Sequence, residues 1–146
     1  MPNKIIVLFI ALLPFTAKAQ NLPDSVYRQE MHKCNDQVFS KVEKLPYIIK
    51  GTRFFEDSLT TYLKANHAFI NDLRATYSFM LTTAPYITGV HNDRSTDEKF
   101  DELVIRFLTA TRQLWKPASQ NGRDVCALVD LVLIIRNGRL NAVLSQ

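Results

Sequence analysis

Asp130 is the one carboxylate inside a long apolar run, residues 125–135. A lone carboxylate in such surroundings is where acid–base chemistry or binding of a charged group would sit. Its plainer roles, facing solvent or a sheet edge or accepting backbone N–H groups, are the preferred reading. His32, His67 and His91 fall in three separate segments, and His32-x-Cys34 is too sparse for a metal site. We read all three as solvated histidines. Glu98, Asp101 and Glu102 cluster where a helix begins, so their carboxylates match the helix dipole rather than an acid–base pair. No serine lies in a G-x-S-x-G frame, and the four glycines never cluster into a phosphate-cradling loop. The residue types therefore point to a non-enzymatic chain with no catalytic residue, cofactor or metal.

Cys34 and Cys126 are the only cysteines. An even pair in an exported chain points to one disulfide. The alternative is two reduced thiols, with Cys126 simply packing in a strand. Export itself is read from residues 1–19. Lys4 supplies a positive start, residues 5–15 are apolar apart from Pro14, and Ala17-Lys18-Ala19 is a small-x-small cleavage signal. The apolar run is about half the roughly 20 residues that a membrane span needs, so a cleaved signal peptide is preferred to an uncleaved anchor. Loss of Lys4 and Lys18 with the leader lowers the net charge from +4 to about +2. That balance does not argue for nucleic acid or for anionic membranes as partners. Residues 20–146 are enough for one domain with its own core.

The elements that must position these residues follow from periodicity. Residues 20–36 are polar, without a clean period, and read as a loosely ordered arm. Residues 38–42 alternate as a short strand, which Pro46 breaks. After Gly51, the residues Phe55, Leu59, Tyr62 and Leu63 form one helical face, with Glu56 and Asp57 expected in its first turn and Asn66 as its stop. From Arg74 the period changes to two: Ala75, Tyr77, Phe79 and Leu81 share one face of a strand, and residues 86–91 return after Ala84-Pro85. Ser95 to Glu98 fits a capping box opening a second helix, whose stripe includes Phe100, Leu103, Val104, Phe107 and Leu108. Pro117 ends it, with Trp115 capping the core at its exit. Asn121-Gly122 marks a turn. Residues 125–135 form a strand that is apolar on both faces, expected to be central or covered on both sides. Asn137-Gly138 then turns the chain into a last strand at 140–144. The sum is an α+β domain in two layers, a mainly antiparallel three- to four-stranded sheet packed against two helices. Its organisation is 1–19 leader, 20–36 arm and 37–146 folded domain.

Several of these segments together resemble one family. Val38-Phe39, Val42-Glu43-Lys44-Leu45-Pro46, Gly51, Tyr62-Leu63, Asn66 and Asp101-Glu102 lead up to the most specific stretch, Trp115-Lys116-Pro117 followed by Gln120-Asn121-Gly122. Over residues 37–136 the chain resembles the C-terminal domain of TonB, in the stand-alone form found in Bacteroidetes-type bacteria. The resemblance implies a sheet on two helices and a periplasmic or secreted location. It also implies a protein or peptide partner, such as a TonB-dependent outer-membrane receptor, one segment of which joins the sheet edge as an added strand. Membrane contact is then only indirect. The partner strand is expected along Val125, Ala127, Val129, Leu131 and Leu133, or along 140–144. The resemblance carries Trp115, Lys116, Pro117, Asn121 and Gly122 as family-motif residues. The chain departs from the family in lacking a Pro-rich spacer, and Asn66-His67-Ala68 stands where the family has Tyr-Pro. A self-associating structural domain without a transport role is the alternative from another class.

Overall fold

In a computed structural model of the chain, residues 34, 37–93 and 97–146 are described. The leader and nearly all of the arm lie outside them. The elements run β1 (Tyr47–Ile48), α1 (Thr52–Ala65), β2 (Leu73–Leu81), β3 (Ile87–Asn92), α2 (Glu98–Ala110), a 3₁₀ turn (Arg112–Leu114), β4 (Trp115–Lys116), β5 (Ala118–Gln120), β6 (Arg123–Val125), β7 (Ala127–Arg136) and β8 (Arg139–Ser145). Four strands make the main sheet in the order β3-β2-β7-β8, each pair antiparallel. Two small ribbons, β1-β4 and β5-β6, lie beside it. The α+β class and the four-stranded sheet on two helices are as the periodicities require.

The core lies between sheet and helices, and each contributing face obeys its own period. From α1 it takes Phe55, Leu59 and Leu63; from α2, Phe100, Leu103, Val104 and Leu108. From β2 come Ala75, Tyr77, Phe79 and Leu81; from β7, Ala127, Val129, Leu131, Leu133 and Ile135. β2 and β7 pair over nine residues, from Leu73 opposite Ile135 to Leu81 opposite Ala127, without a register shift. Their inward side chains therefore stand in facing rows.

α1 stops by a backbone device. The N–H of Ala68 donates to Leu63 O (2.9 Å) and that of His67 to Lys64 O (3.1 Å), with His67 left-handed at φ 53°. This is a Schellman stop, and it gives His67 a conformational role. Asn66 Nδ2 adds a bond to Tyr62 O. Both Asn-Gly turns have positive φ at each residue, 51° and 73° at Asn121-Gly122 and 50° and 74° at Asn137-Gly138. That geometry matches the twist of the flanking strands.

Several expectations are corrected. Glu56 and Asp57 sit beyond the first turn of α1, because the helix already begins at Thr52. The N-cap of α2 is Asp97, whose carboxylate accepts from Phe100 N (2.8 Å); Ser95, the cap read from sequence, lies outside the described residues. α2 ends at Ala110, so Trp115 is not at a helix exit but in β4. There it is buried, edge-on to Phe55 and to Phe79 at 5.8 Å. Residues 38–42 do not form a strand. Instead Phe39 makes one parallel bridge to Ala127, and Lys44 makes one antiparallel bridge to Ser119. The run 125–135 is divided at Cys126, which separates β6 from β7. β7 is central but covered on one face only: Leu128 is exposed, and Asp130, Val132 and Ile134 are half-buried.

Candidate functional site

The margins of a sheet carry the backbone groups that have no neighbouring strand, and an added strand can pair only there. β7 is not a margin. β2 flanks it along its whole length, and β8 flanks Asp130 to Arg136. Beyond the end of β8, other groups take over. Phe39 N donates to Cys126 O (2.9 Å), Leu128 N donates to Phe39 O (3.0 Å), and Gln146 Nε2 donates to Leu128 O (3.0 Å). The same Gln146 side chain accepts Val42 N through Oε1 (3.0 Å), so one carboxamide stands in for a peptide unit. The expected docking residues are thereby corrected. Ala127, Val129, Leu131 and Leu133 are buried under the helices, Val125 belongs to the β5-β6 ribbon, and the β7 backbone already has neighbours on both sides.

β8 is a margin. Its pairing runs from Arg139 opposite Arg136 to Ser145 opposite Asp130. Halfway along, Ala142 N turns away from β7 and donates to Glu56 Oε1 of α1 (2.8 Å). Backbone direction alternates along an antiparallel strand, so the peptide groups of Leu140 and Leu144 face outward as well. Glu56 thus occupies the place that a carbonyl of an added strand would take. The opposite margin, β3, is kinked: its register with β2 shifts between Ser78 and Met80, where Gly89 has φ 62°.

Cys34 and Cys126 are bonded to one another, with Cα atoms 5.7 Å apart. This resolves the alternatives left open by the sequence. The bond ties the end of the arm to the β6–β7 junction, beside a hollow of about 450 Å³ lined by Gln37, Phe39, Thr83, Arg123 and Asp124 among others. Residues 115–122 build local structure here. Trp115 fills the core, Pro117 is buried, Lys116 is exposed opposite Tyr47, and Asn121-Gly122 makes the β5-β6 turn. Asn121 N also donates to Glu43 Oε2 (3.0 Å).

On the sheet face away from the helices, Asp130 has acquired company that the sequence does not show. Ser78 Oγ lies 2.6 Å from Asp130 Oδ1 and 2.9 Å from Asp93 Oδ2, and His91 Nε2 lies 3.5 Å from Asp93 Oδ1. The cross-strand registers of Ser78 with His91 and with Asp130 bring them together. The serine is bonded to carboxylates and not to the imidazole, so the arrangement is not a serine–histidine nucleophile pair. His67 stands in the α1 stop, far from this group in sequence and element; His32 lies outside the described residues. No set of three or more His, Cys, Asp or Glu side chains that could hold a metal occurs among the described residues.

A second polar node is buried. Tyr77 Oη donates to Asp101 Oδ1 (2.6 Å), and Asn92 Nδ2 donates to the same oxygen (2.6 Å). Burial, and then the Asp101 carboxylate, push the Tyr77 phenol well above its ordinary pKa of 10.0. This node ties α2 to β2 and β3, and it gives Asp101 a structural role. Glu98 and Asp101 do lie in the first turn of α2, as the dipole reading expects.

No family model, no curated protein and no solved structure matches this chain. Among the described residues, no helix is long and apolar enough to cross a membrane.

Proposed function

We propose that the chain is an exported, non-enzymatic protein-interaction module that receives an extended segment of a partner protein as an added strand along β8. The partner class is that of outer-membrane receptors served by TonB. The setting is periplasmic or secreted, and neither cofactor nor nucleic acid enters the reading. The observation that carries it is the outward backbone of β8, where a carboxylate rather than a strand satisfies Ala142. Added strands gain affinity from such main-chain groups, and alternate side-chain sites supply selectivity. The resemblance of residues 37–136 to the TonB C-terminal domain supports the partner class. Export is supported by the leader and by the disulfide, since such bonds persist in oxidising compartments.

The second reading, a self-associating structural domain without a transport role, is favoured by Glu56 itself, which closes the margin at its middle. The two readings separate in one experiment. Receptor N-terminal peptides are titrated into the isotope-labelled protein, and amide shifts are followed at Leu140, Ala142 and Leu144. Localised, saturable shifts support strand addition. Absence of shifts, together with a concentration-dependent dimer protected at the same amides, supports the second reading and removes the first.

A further inference from the structure

Residues 45–49 alternate in an unusual way. Pro46 and Ile48 turn inward and are buried, whereas Leu45, Tyr47 and Ile49 face outward, 40 %, 56 % and 54 % exposed. Both faces of the segment are therefore apolar, which no solvated strand requires. Phe54, at the start of α1, is 39 % exposed, and Lys50 Nζ sits 4.8 Å from the centre of its ring. These four side chains include most of the large exposed apolar residues among the described ones.

The charge within the segment itself is mostly positive, although Arg53 lies 4.0 Å from Asp57 one turn further along α1. Within residues 41–54 the chain has Lys41, Lys44, Lys50 and Arg53, all exposed, against the single acid Glu43. Glu43 is already engaged by Asn121 N. Lys116 is paired with Tyr47 across the β1-β4 ribbon, and directly opposed residues share a face. The near-neutral balance of the whole molecule hides this concentration.

Large exposed apolar clusters with a polar rim mark contact surfaces. Three occupants can be weighed. A second copy docked through the same surface would bring lysines against lysines, which is unfavourable. A peptide strand would find little backbone to pair with: the β1 ladder is two residues long, and Pro46 lacks an N–H. What remains is side chains, aliphatic and aromatic tips ringed by long cations. That is the chemistry of an interfacial anchor on an anionic bilayer, where apolar tips enter the headgroup boundary and lysine stems snorkel back to the phosphates.

We propose that Leu45, Tyr47, Ile49 and Phe54, with Lys44, Lys50 and Lys116 around them, dock the protein on an anionic lipid surface. This adds a direct membrane contact to the indirect one expected from sequence. It uses a different surface from β8 and stands or falls independently of strand addition.

Vesicle flotation tests it, with phosphatidylglycerol–phosphatidylcholine mixtures beside phosphatidylcholine alone. The mature chain, residues 20–146, is expected to float with the anionic vesicles, not with the neutral ones, and to be released by salt. Tyr47→Ser with Ile49→Ser is expected to weaken binding at least about tenfold, from the apolar area withdrawn. Lys50→Ala and Lys116→Ala are each expected to weaken it about fivefold, one basic residue's share of attraction to such a surface. All four side chains are exposed, so an unchanged melting temperature accompanies each loss. Equal flotation on neutral vesicles, no flotation on either, or flotation indifferent to Tyr47→Ser/Ile49→Ser overturns the proposal. So does saturable binding of an acidic peptide in the absence of any vesicle binding.

Discussion

Replacing Glu56 by Ala tests the idea that a side chain occupies the free margin of the sheet. Glu56 Oε1 accepts Ala142 N at 2.8 Å in a half-buried setting. A hydrogen bond to a charged group contributes about 1.5–3 kcal/mol, which corresponds to about 10- to 150-fold in the opening equilibrium of that amide. Hydrogen exchange at Ala142 should accelerate by that factor in Glu56→Ala. The neighbouring amides of Asn141 and Val143 point into the β7–β8 ladder and should hold their rates. Glu56→Gln keeps an acceptor but loses the charge, and charge-assisted bonds are about twice as strong as neutral ones, so its effect should be intermediate. If an added strand competes with the carboxylate, the same factor should reappear as tighter binding of receptor peptides to Glu56→Ala. The reasoning is refuted if Ala142 exchanges at an unchanged rate. It is equally refuted if Asn141 and Val143 accelerate in step with it, since the loss would then be global and the carboxylate would not guard the margin.

Reducing the Cys34–Cys126 bond, or making Cys34→Ser with Cys126→Ser, removes a link across 92 residues; it should lower unfolding free energy by about 4–5 kcal/mol on the chain-entropy account, read by guanidinium titration. His67→Gly should stabilise by about 0.5–1 kcal/mol in the same assay, because glycine accepts the left-handed backbone at φ 53°. Tyr77→Phe withdraws a donor from buried Asp101 and should cost about 1–3 kcal/mol near neutral pH. The Tyr77 phenol has its pKa raised in the fold, so its contribution is complete below the unfolded value of 10.0 and is lost as pH climbs above it. Urea titrations across that range should show wild type losing stability more steeply than Tyr77→Phe.

The extent to which the fold was legible depended on how local each signal is. The rows Ala75-Tyr77-Phe79-Leu81 and Phe55-Leu59-Leu63 report burial through spacing alone, and Asn137-Gly138 reports its turn through backbone preference. Each needs no knowledge of the rest of the chain. Ser95 with Glu98 offers as regular a capping pattern as Asp97 does, and only backbone geometry at 97 separates them. The misplacement of the docking strand has a different cause. Whether β7 is central or marginal depends on strand order, which is a global property. The apolar residues on both its faces point to the centre, and of the two courses expected for a partner strand, Val125 to Leu133 or 140–144, only the second lies at a margin. Glu56, Asp93 and Gln146 are invisible in the sequence as bridging groups because the partners they bridge to lie 15 to 104 residues away. The exposed ridge at 45–49 did carry a local signal, an apolar residue at five successive positions with lysines at both ends. Pro46 masks that signal, because a proline in a strand pattern reads as a break in the ladder.

Folding kinetics follow from the strand order. β2–β3 and β7–β8 are hairpins, each closed by a short connection, so both can form early and independently. The joint between them, β2 against β7, must wait until Leu81 meets Ala127 across the whole of β3, α2, β4 and the β5-β6 ribbon. Loop-closure entropy is spent there before any of the nine facing pairs can repay it. That seam sets the pace of assembly. Until it closes, each hairpin carries an oily face with no lid, and the newly made chain is most exposed to clumping.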